Sequence, residues 1–386
     1  MRLWLFGIIL IFSLFSCRRI LRRETIVEPN YKTVQFQSLT KPLSKKYRRE
    51  KQKVCREFAN SIIPEHDFSG MFLVAKENQI ITERYSGYAH RKEKKKIAFD
   101  TPIHVASISK TITAVMTLKL VDEGLLDLDD LMVQYLPELP YQDVTIRMLL
   151  NHRSGIQYYG YFSYHHKRWD FRKPLTNKGI IQILAKYKLE QNFKTNQRFQ
   201  YSNTNYALLA SIIERIKKKP FHKVAEEMIF KPLKMNHSFI FQYPKQVDTV
   251  AQSYKEHYKI APYEYLDGVY GDKNVYTTAR DLLKFDQATY DLNFLSLPSR
   301  KEMFTGYSLD RRNRRDYGLG WRLVDFETGE KYFFHTGWWH GNTGCYISLR
   351  KERVTLICLS NKYSKRPFQL ASLIPYFETM PIEKIW

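Results

Sequence analysis

Metal-ligand patterns are absent from this chain of 386 residues, and cysteine is scarce. The pair His165-His166 has no Asp, Glu or Cys partner at a ligand spacing, so we expect no metal and no cofactor. Apart from Cys17, three cysteines remain, an odd number for disulfide pairing. Cys345 and Cys358 lie in neighbouring strand candidates, where they form either a disulfide or two small buried apolar side chains.

The chain also lacks an apolar run long enough to cross a bilayer. Its most apolar segment, Leu3–Phe15, is shorter than the ~20 residues of a spanning helix and matches the core of a secretory signal. Cys17 follows it directly after a small residue, as in lipoprotein signals. We therefore expect residues 1–16 to be a signal peptide and Cys17 to be lipidated, anchoring an exported protein in a bacterial cell envelope, at the periplasmic face or outer membrane. The alternative is an uncleaved anchor, because the arginines after Cys17 would usually stay cytoplasmic.

Acidic residues are outnumbered: 39 Asp and Glu stand against 62 Lys and Arg, a formal net charge of +23. The basic residues are spread over several clusters without a recognisable reading motif, so we expect no nucleic-acid partner. An anionic lipid or cell-wall polymer nearby is one explanation of the charge, and a solvated surface is the other. The segment 17–53 is basic and lacks apolar periodicity, which predicts a tether followed by the start of the first helix, ahead of one domain over residues 54–386.

Ser107 and Lys110 stand at the start of a predicted helix. The segment after Lys110 contains no proline and ends at Gly124, where a helix would stop. Residues three apart on a helical turn project from the same face, so the lysine can reach the serine hydroxyl. A serine needs such a neighbour to take its proton before it can act as a nucleophile. The same pattern also fits a capping serine beside a solvated lysine, so it is not specific alone.

Two further motifs make this pair informative. Tyr201–Asn203 begins a second predicted helix, and His335–Gly337 follows a strand-like run. In this order the three motifs are the signature set of serine β-lactamases and penicillin-binding proteins. The chain resembles the serine β-lactamase-related family over about residues 68–359. Within it, the tyrosine of the second motif resembles the branch of class C β-lactamases, D,D-peptidases and esterases.

Strand patterns lie at both ends of the chain. Residues 69–75 and 79–85 predict a hairpin, and further strand candidates lie between residues 320 and 360. Helical patterns dominate the middle. This arrangement predicts an α+β, β-lactamase/transpeptidase-like fold: an antiparallel sheet made from both chain ends, flanked by helices, with a helical subdomain inserted at about residues 111–290. A closing helix over residues 368–377 would cover the sheet.

The resemblance implies a role for each residue of the first two motifs. Ser107 is the nucleophile that forms an acyl-enzyme, Lys110 shares its proton, and Tyr201 is the general base. Asn203 holds the substrate amide or the lysine ammonium. The oxyanion hole would consist of the backbone N–H groups of Ser107 and Trp338, two fixed donors directed at the developing charge.

The third motif would bind substrate through His335, Thr336 and Gly337. Relatives commonly have lysine at the first of these positions to attract a substrate carboxylate. A histidine with an ordinary pKa near ~6.5 is mostly neutral at pH 7, so we expect weak or no β-lactamase activity. A second departure is Asp272-Lys273, where relatives usually have a glycine pair, and we expect these charges at the rim of the cleft.

These expectations combine into a serine hydrolase that acts through an acyl-enzyme at Ser107 on an ester, a D-amino-acid peptide or a cell-wall peptide. Its expected partners are that small-molecule ester or peptide substrate, with peptidoglycan among the candidates, and a membrane reached through the lipid anchor. The alternative is a non-catalytic lipoprotein of the same fold that binds or senses peptidoglycan or another ligand.

Overall fold

The computed structural model describes residues 31, 33–34, 42–326 and 329–378. The chain divides into two units, Met1–Lys32 and Thr33–Trp386, and every element described below belongs to the second. The predicted signal peptide, Cys17 and most of the predicted tether lie outside the described residues. Among the helices within the described ranges, none is both long and apolar enough to cross a membrane.

An antiparallel sheet of seven strands forms the centre of the fold. The strands, in chain order, are β1 (Gly70–Lys76), β2 (Gln79–Ser86), β3 (Tyr88–His90), β4 (Lys95–Lys96), β5 (Ile103–His104), β6 (Phe239–Ile240), β7 (Val275–Thr277), β8 (Arg315–Tyr317), β9 (Arg322–Asp325), β10 (Lys331–Trp339), β11 (Asn342–Leu349) and β12 (Val354–Ser360). The main sheet has the order β2-β1-β12-β11-β10-β9-β8, so both ends of the chain contribute to it. The predicted hairpin and the predicted α+β fold are confirmed.

The helices lie mostly between β5 and β8, as predicted for the insert. They are α1 (Lys45–Ile62), α2 (Ser109–Asp122), α3 (Ile146–Leu150), α4 (Tyr159–Ser163), α5 (Asn177–Tyr187), α6 (Asn203–Lys217), α7 (Phe221–Ala225), α8 (Ala279–Ala288) and α9 (Leu297–Met303). Tighter 3₁₀ segments lie at Ala106–Ile108, Met132–Gln134, Glu256–Tyr258, Tyr265–Gly268 and Arg366–Tyr376, and a π-helical turn at Glu226–Phe230 follows α7.

Helix α1 begins inside the segment 17–53, for which the sequence predicts a tether followed by the start of the first helix. It starts at Lys45, where Ser44 Oγ accepts a hydrogen bond from Tyr47 N at 3.2 Å and satisfies one free donor of the first turn. Farther along, Cys55 and Phe58 are buried against the sheet. The dense charges of this segment therefore belong to the exposed side of an amphipathic helix.

One face of the main sheet packs against α1 and the C-terminal 3₁₀ segment. Side chains such as Phe72, Leu356 and Leu373 form this apolar core, and full burial of one such side chain contributes ~1.5–3 kcal/mol. The predicted closing helix thus covers the sheet, but in 3₁₀ form. It contains Pro367 and Pro375, which have no N–H to donate to a regular α-helix.

The opposite face of the sheet packs against α8. Asp286 of this helix accepts hydrogen bonds from Tyr346 Oη and from Thr355 Oγ1, each at 2.6 Å. On the strands that carry these two donors, Cys345 and Cys358 stand directly opposite each other and point to the α1 side. Both are buried free thiols, which matches the second of the two alternatives for this pair.

A second, smaller sheet positions the chain ahead of Ser107. It has the order β5-β7-β6, with His104 of β5 opposite Tyr276 of β7. Val105 N also donates to the carbonyl of Val275 at 3.0 Å. The residues before Ser107 are therefore fixed to the segment before α8, which lies about 170 positions later in the chain.

Candidate active site

Ser107 lies half-buried in the 3₁₀ turn that leads into α2. One helical turn later, Lys110 is fully buried, and its Nζ donates a hydrogen bond of 2.9 Å to Ser107 Oγ. A second hydrogen bond, of 2.8 Å, joins the same Nζ to the carbonyl of Asp272. The three-residue spacing therefore brings the lysine to the serine, and the second bond fixes its position.

The segment 271–275 holds the start of α2 through several more hydrogen bonds. Thr113 Oγ1 donates to the carbonyl of Gly271 at 2.7 Å, and Val275 N donates to Ser109 Oγ at 3.1 Å. Because all these groups are buried, each bond avoids the cost of an unpaired polar group in the interior. The turn that holds Ser107, here called the nucleophile turn (Ala106–Ile108), is thus anchored to a segment that lies outside the three motifs.

Tyr201 lies on the other side of the lysine. The Lys110 Nζ is 5.0 Å from the centroid of its ring, and the Arg322 guanidinium carbon is also 5.0 Å from it. The ring centroid of His152 lies 4.3 Å from that of Tyr201, and His152 Nδ1 accepts a hydrogen bond from Ser202 N at 3.2 Å. His152 therefore positions the Tyr201 segment.

The ionisation state of His152 follows from its surroundings. Its complete burial, with the charges of Lys110 and Arg322 nearby, holds its pKa well below the ordinary value of 6.5. A neutral imidazole can keep Nδ1 as an acceptor for the Ser202 N–H. The contact that holds the second motif in place is therefore present throughout the neutral pH range.

Asn203 is the first residue of α6 and lies half-buried. Its Oδ1 is buried and has no hydrogen-bond partner in the part of the chain that the structure describes. Leaving such an atom unpaired costs ~1–3 kcal/mol. Among the described residues, the amide oxygen is therefore a buried acceptor without a partner at the start of α6.

His335 is fully buried on β10. Its Nδ1 lies 2.8 Å from the carbonyl of Thr336, which can only accept, so Nδ1 carries the proton and Nε2 accepts from Tyr317 Oη at 3.2 Å. Burial, together with the charges of Arg322 and Lys110, holds the pKa of His335 well below its ordinary value. The imidazole is therefore neutral, and both its nitrogens are already bonded within the protein.

Strand β10 passes directly beside the nucleophile turn. Strand β9 pairs with β10 only over residues 331–334, so the backbone of residues 335–339 is unpaired on that side. At Gly337, a Cβ would lie 2.3 Å from the carbonyl oxygen of Val105, so a side chain has no room there. The next residue, Trp338, has 63% of its surface exposed. The close approach places the backbone of the predicted oxyanion-hole residue along the turn that holds Ser107.

Asp272 and Lys273 do not lie at the rim of the cleft as predicted. Both are buried, at 0% and 2% exposure. The Tyr159 hydroxyl joins them, because it accepts from Lys273 Nζ at 2.7 Å and donates to Asp272 Oδ2 at 2.7 Å. The rings of Tyr159 and Trp339 also flank the ammonium at 5.1 and 4.8 Å. A paired, aromatic-lined interior position explains why two adjacent charges are tolerated here.

The two histidines considered for a metal are exposed. His165 and His166 stack on each other with ring centroids 5.1 Å apart. Within the described ranges, no group of three or more His, Cys, Asp or Glu side chains is arranged to hold a metal ion. The structure instead brings a serine hydroxyl, a buried lysine, a tyrosine ring and a guanidinium together around Ser107 and Tyr201.

Comparison with known proteins finds relatives among β-lactamases and penicillin-binding proteins. The profile of the family described as Beta-lactamase matches residues 39–373. Penicillin-binding protein 4* of Bacillus subtilis (strain 168) is 33% identical over 343 residues, which cover 84% of this chain and 75% of that protein. The penicillin binding protein from Bacillus halodurans superimposes with a TM-score of 0.72 at 21% identity, covering 84% of this chain and 98% of that one. The D-amino acid amidase from Ochrobactrum anthropi SV3 gives 0.67 at 20%, covering 83% and 95%.

Proposed function

Because the chain belongs to the beta-lactamase family of serine hydrolases, we propose that it hydrolyses the peptide bond of a small D-amino-acid peptide through an acyl-enzyme at Ser107. The observation that carries this proposal is the 2.9 Å hydrogen bond from the buried Lys110 ammonium to Ser107 Oγ. The names of two similar proteins, penicillin-binding protein 4* and D-amino acid amidase, suggest the substrate class.

The proposed chemistry follows from the direction of that hydrogen bond. Since Lys110 donates to Ser107 Oγ, the proton of the serine hydroxyl is free to pass to Tyr201 Oη as Oγ attacks the substrate carbonyl carbon, while the phenol passes its own proton to the substrate amide nitrogen. The C–N bond then breaks, and the protonated amine departs. Water attacks the resulting ester, the C–Oγ bond breaks, and the serine regains its proton.

Charge in the cleft favours a peptide that ends in a free carboxylate. The neutral His335 provides no positive charge for such a group. Arg322, on β9, is half-buried with its guanidinium beside the Tyr201 ring, and its Nε has no hydrogen-bond partner among the described residues. A guanidinium binds a carboxylate through paired hydrogen bonds. Arg322 is therefore our candidate for the group that holds the substrate carboxylate.

The test is a side-by-side measurement of turnover. Peptides ending in D-Ala-D-Ala, the same peptides with an amidated C-terminus, short acyl esters and cephalosporins are compared on the wild type and on Ser107→Ala. We expect the free-carboxylate peptide to have the highest kcat/KM, and Ser107→Ala to be inactive. Absence of turnover together with absence of labelling by fluorophosphonate and fluorescent penicillin probes would contradict the proposal and favour the non-catalytic binding lipoprotein.

We also propose that the protein is exported to the bacterial cell envelope and anchored there by a lipid on Cys17. The sequence around Cys17 supports this, and so does the exposed side of α1. Lys45, Arg49, Lys53 and Arg56 recur there at helical spacing and are all exposed. Each basic residue near an anionic membrane contributes ~1 kcal/mol to binding. Metabolic labelling with palmitate tests the anchor, and equal labelling of wild type and Cys17→Ser would exclude it.

A further inference from the structure

His104 lies three positions before Ser107 and is almost fully buried. Its Nδ1 is 3.1 Å from the backbone nitrogen of Ala106, and its Nε2 is 3.1 Å from Asn274 Oδ1. A backbone N–H can only donate, so Nδ1 is the acceptor and the proton of the neutral ring is on Nε2. The imidazole therefore accepts from the nucleophile turn and donates to Asn274.

From His104 the hydrogen bonds lead away from the turn, first to Asn274 and then to Asp267. Asn274 Nδ2 donates to the backbone carbonyl of Asp267 at 2.6 Å. The carboxylate of Asp267 in turn accepts from Trp339 Nε1 at 2.6 Å and lies 3.0 Å from His340 Nε2. Asn274 and Asp267 are buried, so neither can exchange these partners for water without a cost. This network holds the His104 ring in one orientation and one tautomer.

Ala106 needs such support because its backbone is strained. Its φ is +49°, in the left-handed region, which costs an L-residue ~1–2 kcal/mol. Gly337 packs against the same turn from the other side, where a Cβ would meet Val105 O at 2.3 Å and Ala106 Cβ at 3.2 Å. The turn is thus confined between the imidazole and β10. Its conformation sets the direction of the next N–H group, that of Ser107.

We propose that His104 is a positioning residue for the oxyanion hole: by accepting the Ala106 N–H, it holds the turn so that the Ser107 N–H faces the carbonyl oxygen of the acylated substrate. This inference rests on the proposed acyl-enzyme at Ser107. His104 does not touch the reacting atoms, and it acts through Ala106 alone. Its loss therefore weakens stabilisation of the transition state and leaves substrate binding largely intact.

The alternative is that His104 only fills space beside Tyr276, whose ring centroid is 5.2 Å away. Three substitutions separate the two roles. His104→Asn keeps an acceptor at the position of Nδ1, because Asn Oδ1 is also bonded to Cγ. His104→Gln keeps a polar group near the position of Nε2 but has no acceptor for Ala106. His104→Leu retains bulk without either.

The experiment measures kcat and KM for the best substrate of the wild type. We expect kcat to fall ~100-fold in His104→Gln and His104→Leu, within the range found when an oxyanion-hole donor is lost, while KM changes less than ~2-fold. His104→Asn should recover most of kcat. The thermal unfolding transition of each variant is measured first, and kcat is compared only per amount of folded protein.

Equal kcat values in His104→Asn and His104→Gln, or an unchanged kcat in His104→Leu, would overturn the positioning role. Loss of the native thermal transition in all three variants would also overturn it, because the histidine would then be purely structural. Neither result concerns the proposed function itself. That function fails only if the wild type shows no Ser107-dependent turnover or labelling.

Discussion

The ammonium of Lys110 donates a hydrogen bond of 2.9 Å to the hydroxyl oxygen of Ser107 while the Asp272 carbonyl accepts from the same nitrogen at 2.8 Å. The lysine is fully buried, so water does not compete for these contacts. The carbonyl fixes the ammonium, and the ammonium fixes the serine oxygen. This arrangement holds the Ser107 hydroxyl oxygen in a fixed position before any substrate binds.

Replacement of Lys110 should abolish most activity without unfolding the protein. We expect Lys110→Arg and Lys110→Ala to lower kcat/KM by ~10²–10⁴-fold, because Ser107 Oγ loses the group that orients it for proton transfer to Tyr201. Lys178→Met is a control, because Lys178 is exposed on α5 and belongs to none of the three motifs. If Lys110→Arg retained more than half of the wild-type kcat/KM, the lysine would have no role in orienting the serine.

Arg322 should discriminate between peptides by their C-terminus. We expect Arg322→Leu to raise KM ~10–100-fold for a peptide with a free carboxylate, which corresponds to the loss of one hydrogen bond to a charged group. The amidated peptide should show little change, and Arg322→Lys should have an intermediate KM because it keeps the charge and loses the planar fork. Steady-state kinetics on the two peptides measure the difference. An equal effect on both would assign Arg322 a role in holding Tyr201 instead.

Gly337 should be essential for reasons of space alone. We expect Gly337→Ala to displace β10 from the nucleophile turn and to lower kcat by more than ~100-fold, because the new Cβ would lie 2.3 Å from the Val105 carbonyl oxygen. Gly344 stands directly opposite in the paired strand, and a Cβ there meets the side-chain ends of Leu359 and Ile108, at 3.0 and 3.2 Å, and the Cys358 carbonyl oxygen only at an ordinary contact distance of 3.5 Å. Gly344→Ala should therefore be the milder change. Similar kinetics for the two variants would contradict this explanation.

The sequence predictions that the structure confirms rest on local sequence patterns. The hairpin β1–β2 followed from strand composition on either side of a short turn, and the α+β arrangement followed from strands at both ends of the chain. The reach of Lys110 to Ser107 needed only helical spacing. The hairpin and the Lys110 contact depend on residues that are close in the sequence, and each strand at the two chain ends was indicated by its own local composition.

The features that sequence reasoning missed depend on distant residues. Asp272 and Lys273 were expected at the rim of the cleft, but Tyr159, more than one hundred positions earlier, joins them in the interior. Asn274 meets His104 across 170 positions, and no pattern in a single sequence indicates that contact. The resemblance to a family located the motifs and left these supporting residues unassigned.

Removal of Lys273 from its buried contact with Asp272 should destabilise the protein. We expect Lys273→Met to lower the free energy of unfolding by ~3–5 kcal/mol, because it leaves the Asp272 carboxylate buried beside Tyr159 without its cation. The double variant Asp272→Asn/Lys273→Met should recover part of this loss. Denaturant unfolding of the wild type and the variants provides the values. A double variant less stable than Lys273→Met would show that the carboxylate is stabilised by other groups.

Stability should fall as the pH is lowered below ~6.5, because three buried histidines cannot take up a proton while folded. Burial lowers the pKa of His104 to about 4, and the pKa values of His152 and His335 are held well below the ordinary one. The unfolded chain protonates all three near pH ~6.5, so it binds more protons than the folded state and gains free energy as the pH falls.

Each such histidine contributes up to ~1.4 kcal/mol of lost stability per pH unit between ~6.5 and its folded pKa. The carboxyls of Glu214 and Glu264, whose pKa values are raised mainly by partial desolvation, act in the opposite direction. The informative quantity is therefore the difference between wild type and His335→Gln, measured by urea unfolding at several pH values from 7 to 5. We expect the slope of the unfolding free energy against pH to be smaller in His335→Gln by about the contribution of one histidine. Parallel slopes would mean that His335 takes up a proton in the folded protein, and its hydrogen bond from Tyr317 would then have to break at low pH.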